Sequence, residues 1–127
     1  MKQRSRNSGI AENAFKVSLV VAASAFTSFF AVTLVPLLID KPDVVAAFAA
    51  GFVNPYASGY STDVIISWAI LVAWVAFEAK AYDVKHGWIC VLLGVVPGVA
   101  VGFAVYLLLR HRQVTTRHRR NGRLRKI

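Results

Sequence analysis

Apolar and charged positions are segregated along the chain rather than interleaved. Val17–Ile39 is a run of 23 residues without a charge, and Trp88–Leu109 is a second such run of 22. Between them, "DVIISWAILVAWVAFEAK" (Asp63–Lys80) holds the uncharged stretch Val64–Phe77 between two carboxylates, Asp63 and Glu78. At 1.5 Å per residue the two long runs reach about 35 and 33 Å as helices, enough for a ~30 Å hydrocarbon core. The pattern predicts an all-α integral membrane protein with three transmembrane helices, over about 17–39, 62–82 and 88–109. Residues 1–16 form a basic amino-terminal segment and 110–127 an Arg-rich tail.

The first run follows a basic start, as a secretory signal does. It is longer than a signal's usual apolar region, and no small-x-small cleavage site follows, so it is read as a retained helix. Pro36 lies near its end, where a kink or stop costs little. The connector Asp40–Thr62 opens with helix-start chemistry, Asp40 as a cap and Pro42 in a first turn. Val44–Val53 is apolar but reaches only about 15 Å, so it predicts a short interfacial helix ending near Gly51. "NPYASGYS" then supplies turn residues and two interfacial tyrosines, Tyr56 and Tyr60.

Composition agrees with a membrane class. The 127-residue chain is 57% hydrophobic and 17% charged, against about 25% charged in a soluble domain. Its net charge of +9 is concentrated at the ends. Lys2, Arg4, Arg6 and Lys16 precede the first run. Arg110, Arg112, Arg117, Arg119, Arg120, Arg123, Arg125 and Lys126 follow the last. Cys90 is the lone cysteine, which excludes an intrachain disulfide; among apolar neighbours it reads as a small core residue. His86, His111 and His118 have no nucleophile or metal partner at useful spacing. Catalysis, a metal and a cofactor are therefore not expected.

The most specific local feature is "GVVPGVAVG". Gly94, Gly98 and Gly102, four apart, would form one nearly side-chain-free stripe on a helix, open to close approach by another helix backbone. Ala23, Thr27 and Ala31 on the first helix repeat the spacing. Two readings stand open: the stripe packs the protein's own helices, or it docks a partner subunit. Pro97 within it is expected to bend the helix and free a carbonyl.

Asp63 is expected in the first turn of its helix, where a carboxylate complements the dipole. Glu78 is expected at the membrane boundary, ion-paired with its connector, or else partly buried against a polar group of a neighbouring helix, a lipid or an ion. The outer runs carry no charged relay, which argues against a self-contained transporter. The basic tail has no aromatic residue and reads as an anchor to anionic lipid head groups or a dock for an acidic partner surface. Nucleic acid is not an expected partner, because stacking residues are missing. With three spans the two ends lie on opposite sides of the membrane. Nine Lys/Arg against six then favour a cytoplasmic tail, although the acidic first connector, with Asp40, Asp43 and Asp63 against Lys41, looks external.

From about Phe48 to Arg112 the chain resembles a family of small bacterial membrane proteins catalogued as a domain of unknown function. The resemblance rests on "F-x-N" at Phe52–Asn54, Asp63, Glu78, Trp88 opening the third helix, a glycine near its middle, and "YLLLRHR" at Tyr106–Arg112. The family pattern places a proline just before the final leucine run, whereas here Pro97 is earlier and Val105 precedes Tyr106. The long arginine-rich extension is also atypical. The resemblance implies a three-helix fold and no established chemistry.

The expected function is that of a non-catalytic accessory or scaffolding subunit of a larger bacterial membrane complex in the plasma membrane, such as a lipid importer or respiratory assembly. It would dock other integral membrane subunits through the glycine face and anionic lipids through the tail. The alternatives are a lipid- or carotenoid-binding protein, with a groove lined by Phe26, Phe29, Phe30, Trp68 and Trp74, and a transporter that depends on Glu78.

Overall fold

The computed structural model describes residues 2–124, with side chains from residue 7 onward. Its elements are α1 (Lys2–Asp40), α2 (Val44–Ala49), a 3-10 turn (Ala50–Phe52), α3 (Pro55–Ala81), α4 (Gly87–Val95) and α5 (Val99–Leu124), with no strand among the described residues. Two helical stretches, Asn7–Asp40 and Pro55–Ala81, are long and apolar enough to cross a membrane.

The helix α1 continues through Pro36 to Asp40. It packs along α5, and its half-buried residues Lys16, Leu19, Ala23 and Phe30 recur at the three-and-four spacing of one helix face. In the connector the cap is Asp43 rather than Asp40: its carboxylate accepts the Ala46 amide at 2.9 Å, while Asp40 ends α1. The predicted turn "NPYASGYS" is already helix. Asn54 accepts the Ala57 amide at 2.8 Å, and Pro55 takes the first helical position, where its missing N–H costs nothing. Hence α3 starts well before 62, and Asp63 sits exposed inside the helix rather than in its first turn. The connector closes on α3 through a 2.8 Å bond from Ser61 Oγ to the Gly51 carbonyl.

The third predicted span is not one helix. The chain breaks at Val96–Gly98, with a cis peptide between Val96 and Pro97. Proline removes a helical N–H and disfavours α geometry in the residue before it. Val96 accordingly is extended, at φ −140° and ψ 121°. After the break the chain turns back. A Cβ on Gly102 would lie 2.6 Å from the Cys90 carbonyl and 2.8 Å from Gly94 Cα, and one on Gly87 would meet the Tyr106 ring. With contacts running from 94–102 to 87–106, α4 and α5 form an antiparallel hairpin whose tip is Val96–Gly98.

The helix α3 lies antiparallel to α4, because Trp68 donates to the Val91 carbonyl at 3.1 Å and Val75 touches Gly87. Leu71, Val75, Val84, Cys90 and Tyr106 form the core, with Val91, Phe103, Val105 and Leu109 packed against it. The core therefore belongs to α3, α4, α5 and the loop between α3 and α4.

Candidate functional site

The polar centre of the molecule lies where the last turns of α3 meet the middle of α5. Tyr106 and Arg110 are four residues apart on α5, so both point from one face. Glu78 receives them. Tyr106 Oη donates to Oε2 at 2.6 Å, and Arg110 Nε donates to Oε1 at 2.6 Å and Oε2 at 2.7 Å. Glu78 is 3% exposed and is the buried charged residue among those described. The Arg110 side chain is 40% exposed, so the pair has one wet end and one dry end. A carboxylate offers about four lone-pair sites. Three are taken by the protein's own helix. Trp74 stacks edge-on against Tyr106 and Phe103, which walls the site from the apolar side. Chemically this is a tie between two helices, in which one carboxylate is held by a phenol and a guanidinium.

Beyond the tie, α5 continues as helix and is fastened to the α3–α4 loop. Gln113 exchanges two bonds with Lys85, accepting from its N–H at 3.0 Å and donating to its carbonyl at 2.8 Å. Arg117 donates to the carbonyls of Tyr82 and Asp83 and lies 3.1 Å from the Asp83 carboxylate. The loop includes two residues of positive φ, Asp83 at 50° and His86 at 66°, so it relies on these external bonds to hold its shape. On the other flank, Glu12 of α1 accepts from Lys16 at 2.6 Å and lies 3.0 Å from His111 Nε2. The Phe15 ring lies tilted at 59° beside the same imidazole, with ring centroids 6.3 Å apart.

Glu78 and Arg110, from separate sequence groups, are thus brought together. The acid faces its own chain's α5 and is buried within the protein. Asp63 is far from it, in the exposed part of α3. The three glycines do not form one stripe, because the break at Pro97 separates them. Gly94 is covered by Trp68, whose Cδ1 would lie 2.7 Å from a Cβ at that position; Gly98 is covered by Phe26, whose Cε1 would lie 2.6 Å from one there; and Gly102 lies on the α4 backbone. Each is filled by a different element of the same chain. Ala23 is half-buried toward α5, whereas Thr27 and Ala31 are exposed and meet none of these glycines. The five aromatic residues are likewise divided: Trp68 and Trp74 serve α3 against the hairpin, and Phe26 serves α1. Of the tail cations, Arg110 and Arg117 are engaged, while Arg112, Arg119, Arg120 and Arg123 are exposed. Arg125 and Lys126 lie outside the described residues.

Sequence reasoning missed the roles of Tyr106, Gln113, Glu12 and His111. Tyr106 and Arg110 carried a signal, four apart in an apolar helix that needed a buried acid to justify them. Glu12 and Lys16 carried the ordinary i, i+4 signal. Gln113 carried none, because its partner is a loop backbone.

No curated protein and no solved structure matches the chain. The match to a family model described as "Protein of unknown function DUF2834" runs over residues 15–112, upstream of the Phe48 start suggested by local motifs, and so takes in α1 from Phe15, the connector, α3, the hairpin and the Glu78 tie. On that span the chain belongs to the DUF2834 family.

Proposed function

We propose that this is an integral protein of the plasma membrane that acts as a non-catalytic accessory or scaffolding subunit of a larger membrane complex. The observation that carries the reading is the imbalance of α1. The helix has spanning length, yet none of its residues from Asn7 to Asp40 is buried. Beyond Phe26, large side chains such as Phe29, Val32, Leu37 and Ile39 are exposed. Within a membrane such a face is covered by lipid tails or by other helices. The glycines are already used inside the chain, so the docking face moves from "GVVPGVAVG" to α1. The Glu78 carboxylate, buried and already holding three bonds from α5, supports a scaffold over a transporter, since an acid that carries ions or protons needs open coordination.

Purification from native membranes in a mild detergent tests this. A stoichiometric membrane partner is expected to co-purify, and photo-crosslinkers at Val32 and Leu37 are expected to capture it. Recovery solely as a free monomer or homodimer, with no crosslinked partner, rejects the proposal.

A further inference from the structure

We infer that the α4–α5 hairpin is re-entrant, so that the start of α1 and the end of α5 share the cytoplasmic face, and that the basic collar gathered there by three elements binds the phosphate head groups of the anionic leaflet. The inference rests on the membrane reading proposed above.

Depth markers along α1 and α3 carry the first half. Glu12 lies beside His111, and Phe26 lies over Gly98, so α1 runs antiparallel to α5 from the polar end to the hairpin tip. Trp68 marks the tip on α3, and Glu78 the polar end beside Arg110. From Trp68 to Glu78 is about 15 Å of helix, and from Phe26 back to Val17 about 14 Å, roughly half of a ~30 Å core. Past the tip, α1 continues about 21 Å to Asp40, and α3 reaches back about 20 Å to Pro55. The hairpin thus ends near mid-depth, while α1 and α3 run on. Backbone that is not helical at that depth must have its polar groups satisfied by protein. At the tip the side chains of Val95 and Val96 are exposed and apolar, Pro97 has no N–H, the Val96 and Gly98 amides are bonded to the Leu92 and Leu93 carbonyls, each at 3.2 Å, and Gly98 lies under Phe26.

Charge carries the second half. In this arrangement every lysine and arginine from Lys2 to Arg123 except Lys41 falls at one end of the molecule. The opposite end holds Asp40 and Asp43 with Lys41, and Asp63 lies on α3 short of that end, about 8 Å beyond Trp68. Three full spans leave the counts nearly balanced and set the acidic connector against the tail; a re-entrant hairpin removes that conflict, and the lysine/arginine bias places the basic end in the cytoplasm. The acids of the basic end are already engaged: Glu12 with Lys16, Glu78 with Arg110, and Asp83 with Arg117. The side-chain cations of Lys80, Lys85 and Arg112, from α3, the loop and α5, have no partner among the described residues. They surround the Glu78 level, where head groups lie.

Reporter fusions test the topology in living cells. Fluorescent protein at residue 1 and after Ile127 is expected to fluoresce at both ends, and alkaline phosphatase inserted at Gly51 is expected to be active. Ends on opposite sides, or both ends outside, in a chain that resists carbonate extraction overturn the hairpin. Release of the chain by carbonate overturns the underlying membrane reading instead. For the collar, the full chain is placed in nanodiscs of equal phosphatidylglycerol and phosphatidylcholine, and retained lipid is counted by native mass spectrometry. Phosphatidylglycerol is expected to be enriched, with each of Lys80→Gln, Lys85→Gln and Arg112→Gln lowering its binding by about fivefold. No enrichment, or enrichment unchanged in the triple variant, overturns the head-group contact.

Discussion

Glu78 and Arg110 share bonds but not surroundings, and the difference sets what each substitution does. Arg110→Ala leaves a carboxylate that is 4% exposed and has lost its cation while keeping the Tyr106 donor. Removing one partner of a buried pair typically costs about 3–5 kcal/mol, and the half-open mouth of this site puts the expected loss nearer 3. Glu78→Gln removes the charge at the dry end, keeps an acceptor for Tyr106, and lets the 40%-exposed Arg110 turn to water. Its expected cost is about 1 kcal/mol, the scale of one hydrogen bond. The double variant should recover most of the Arg110→Ala loss, since no unpaired buried charge remains. Unfolding in detergent, followed by tryptophan fluorescence, measures all three. A Glu78→Gln variant as damaged as Arg110→Ala contradicts the account. The tie was half legible beforehand: an acid at the end of an apolar run and an i, i+4 Tyr–Arg pair were visible, but their meeting depends on how α5 lies against α3.

The hairpin shows where local signals stop. Asn54–Pro55 was a readable helix start, an N-cap followed by proline at the first helical position, yet it also fits a turn. Pro97 was readable as a disturbance, but a proline in an apolar run fits both a kinked continuous span and a break. The choice is made by tertiary contact, because a turn lets the Gly94 and Gly102 backbones touch. That contact ranks the glycines. A methyl at Gly102 meets the Cys90 carbonyl and the Gly94 backbone, neither of which can step aside. Gly102→Ala is expected to cost about 3 kcal/mol, the upper end for overpacking. At Gly94 the obstacle is the Trp68 ring, whose movement would break its bond to Val91. About 2 kcal/mol is expected there. At Gly98 it is the far edge of Phe26, a partly exposed ring free to swing outward, and about 1 kcal/mol or less is expected. A single continuous stripe would make the three alanines equivalent, so detergent melts of the three variants distinguish the two arrangements directly.

At the scale of the molecule, the core and the long apolar helix are separable. Every side chain of the core cluster comes from α3 onward, and so do all three tryptophans, Trp68, Trp74 and Trp88. The helix α1 adds Phe26 over Gly98, the face around Leu19 and Ala23, and the Glu12–His111 contact, all on one side of α5. In lipid or detergent, an apolar helix that leaves exchanges protein contacts for hydrocarbon contacts, with no hydrophobic penalty for separation. A chain lacking residues 1–41 is therefore expected to keep the tryptophan emission of the full chain in detergent. It should also keep Cys90, 1% exposed in the full chain, shielded from maleimide. Under the proposed scaffolding role, the same deletion is expected to abolish recovery of a membrane partner. Fast Cys90 labelling would mean that α1 holds the hairpin closed. Slow labelling with the partner still bound would move the docking face to α3–α5. Slow labelling with the partner lost identifies α1 as the element that this fold presents to its neighbours.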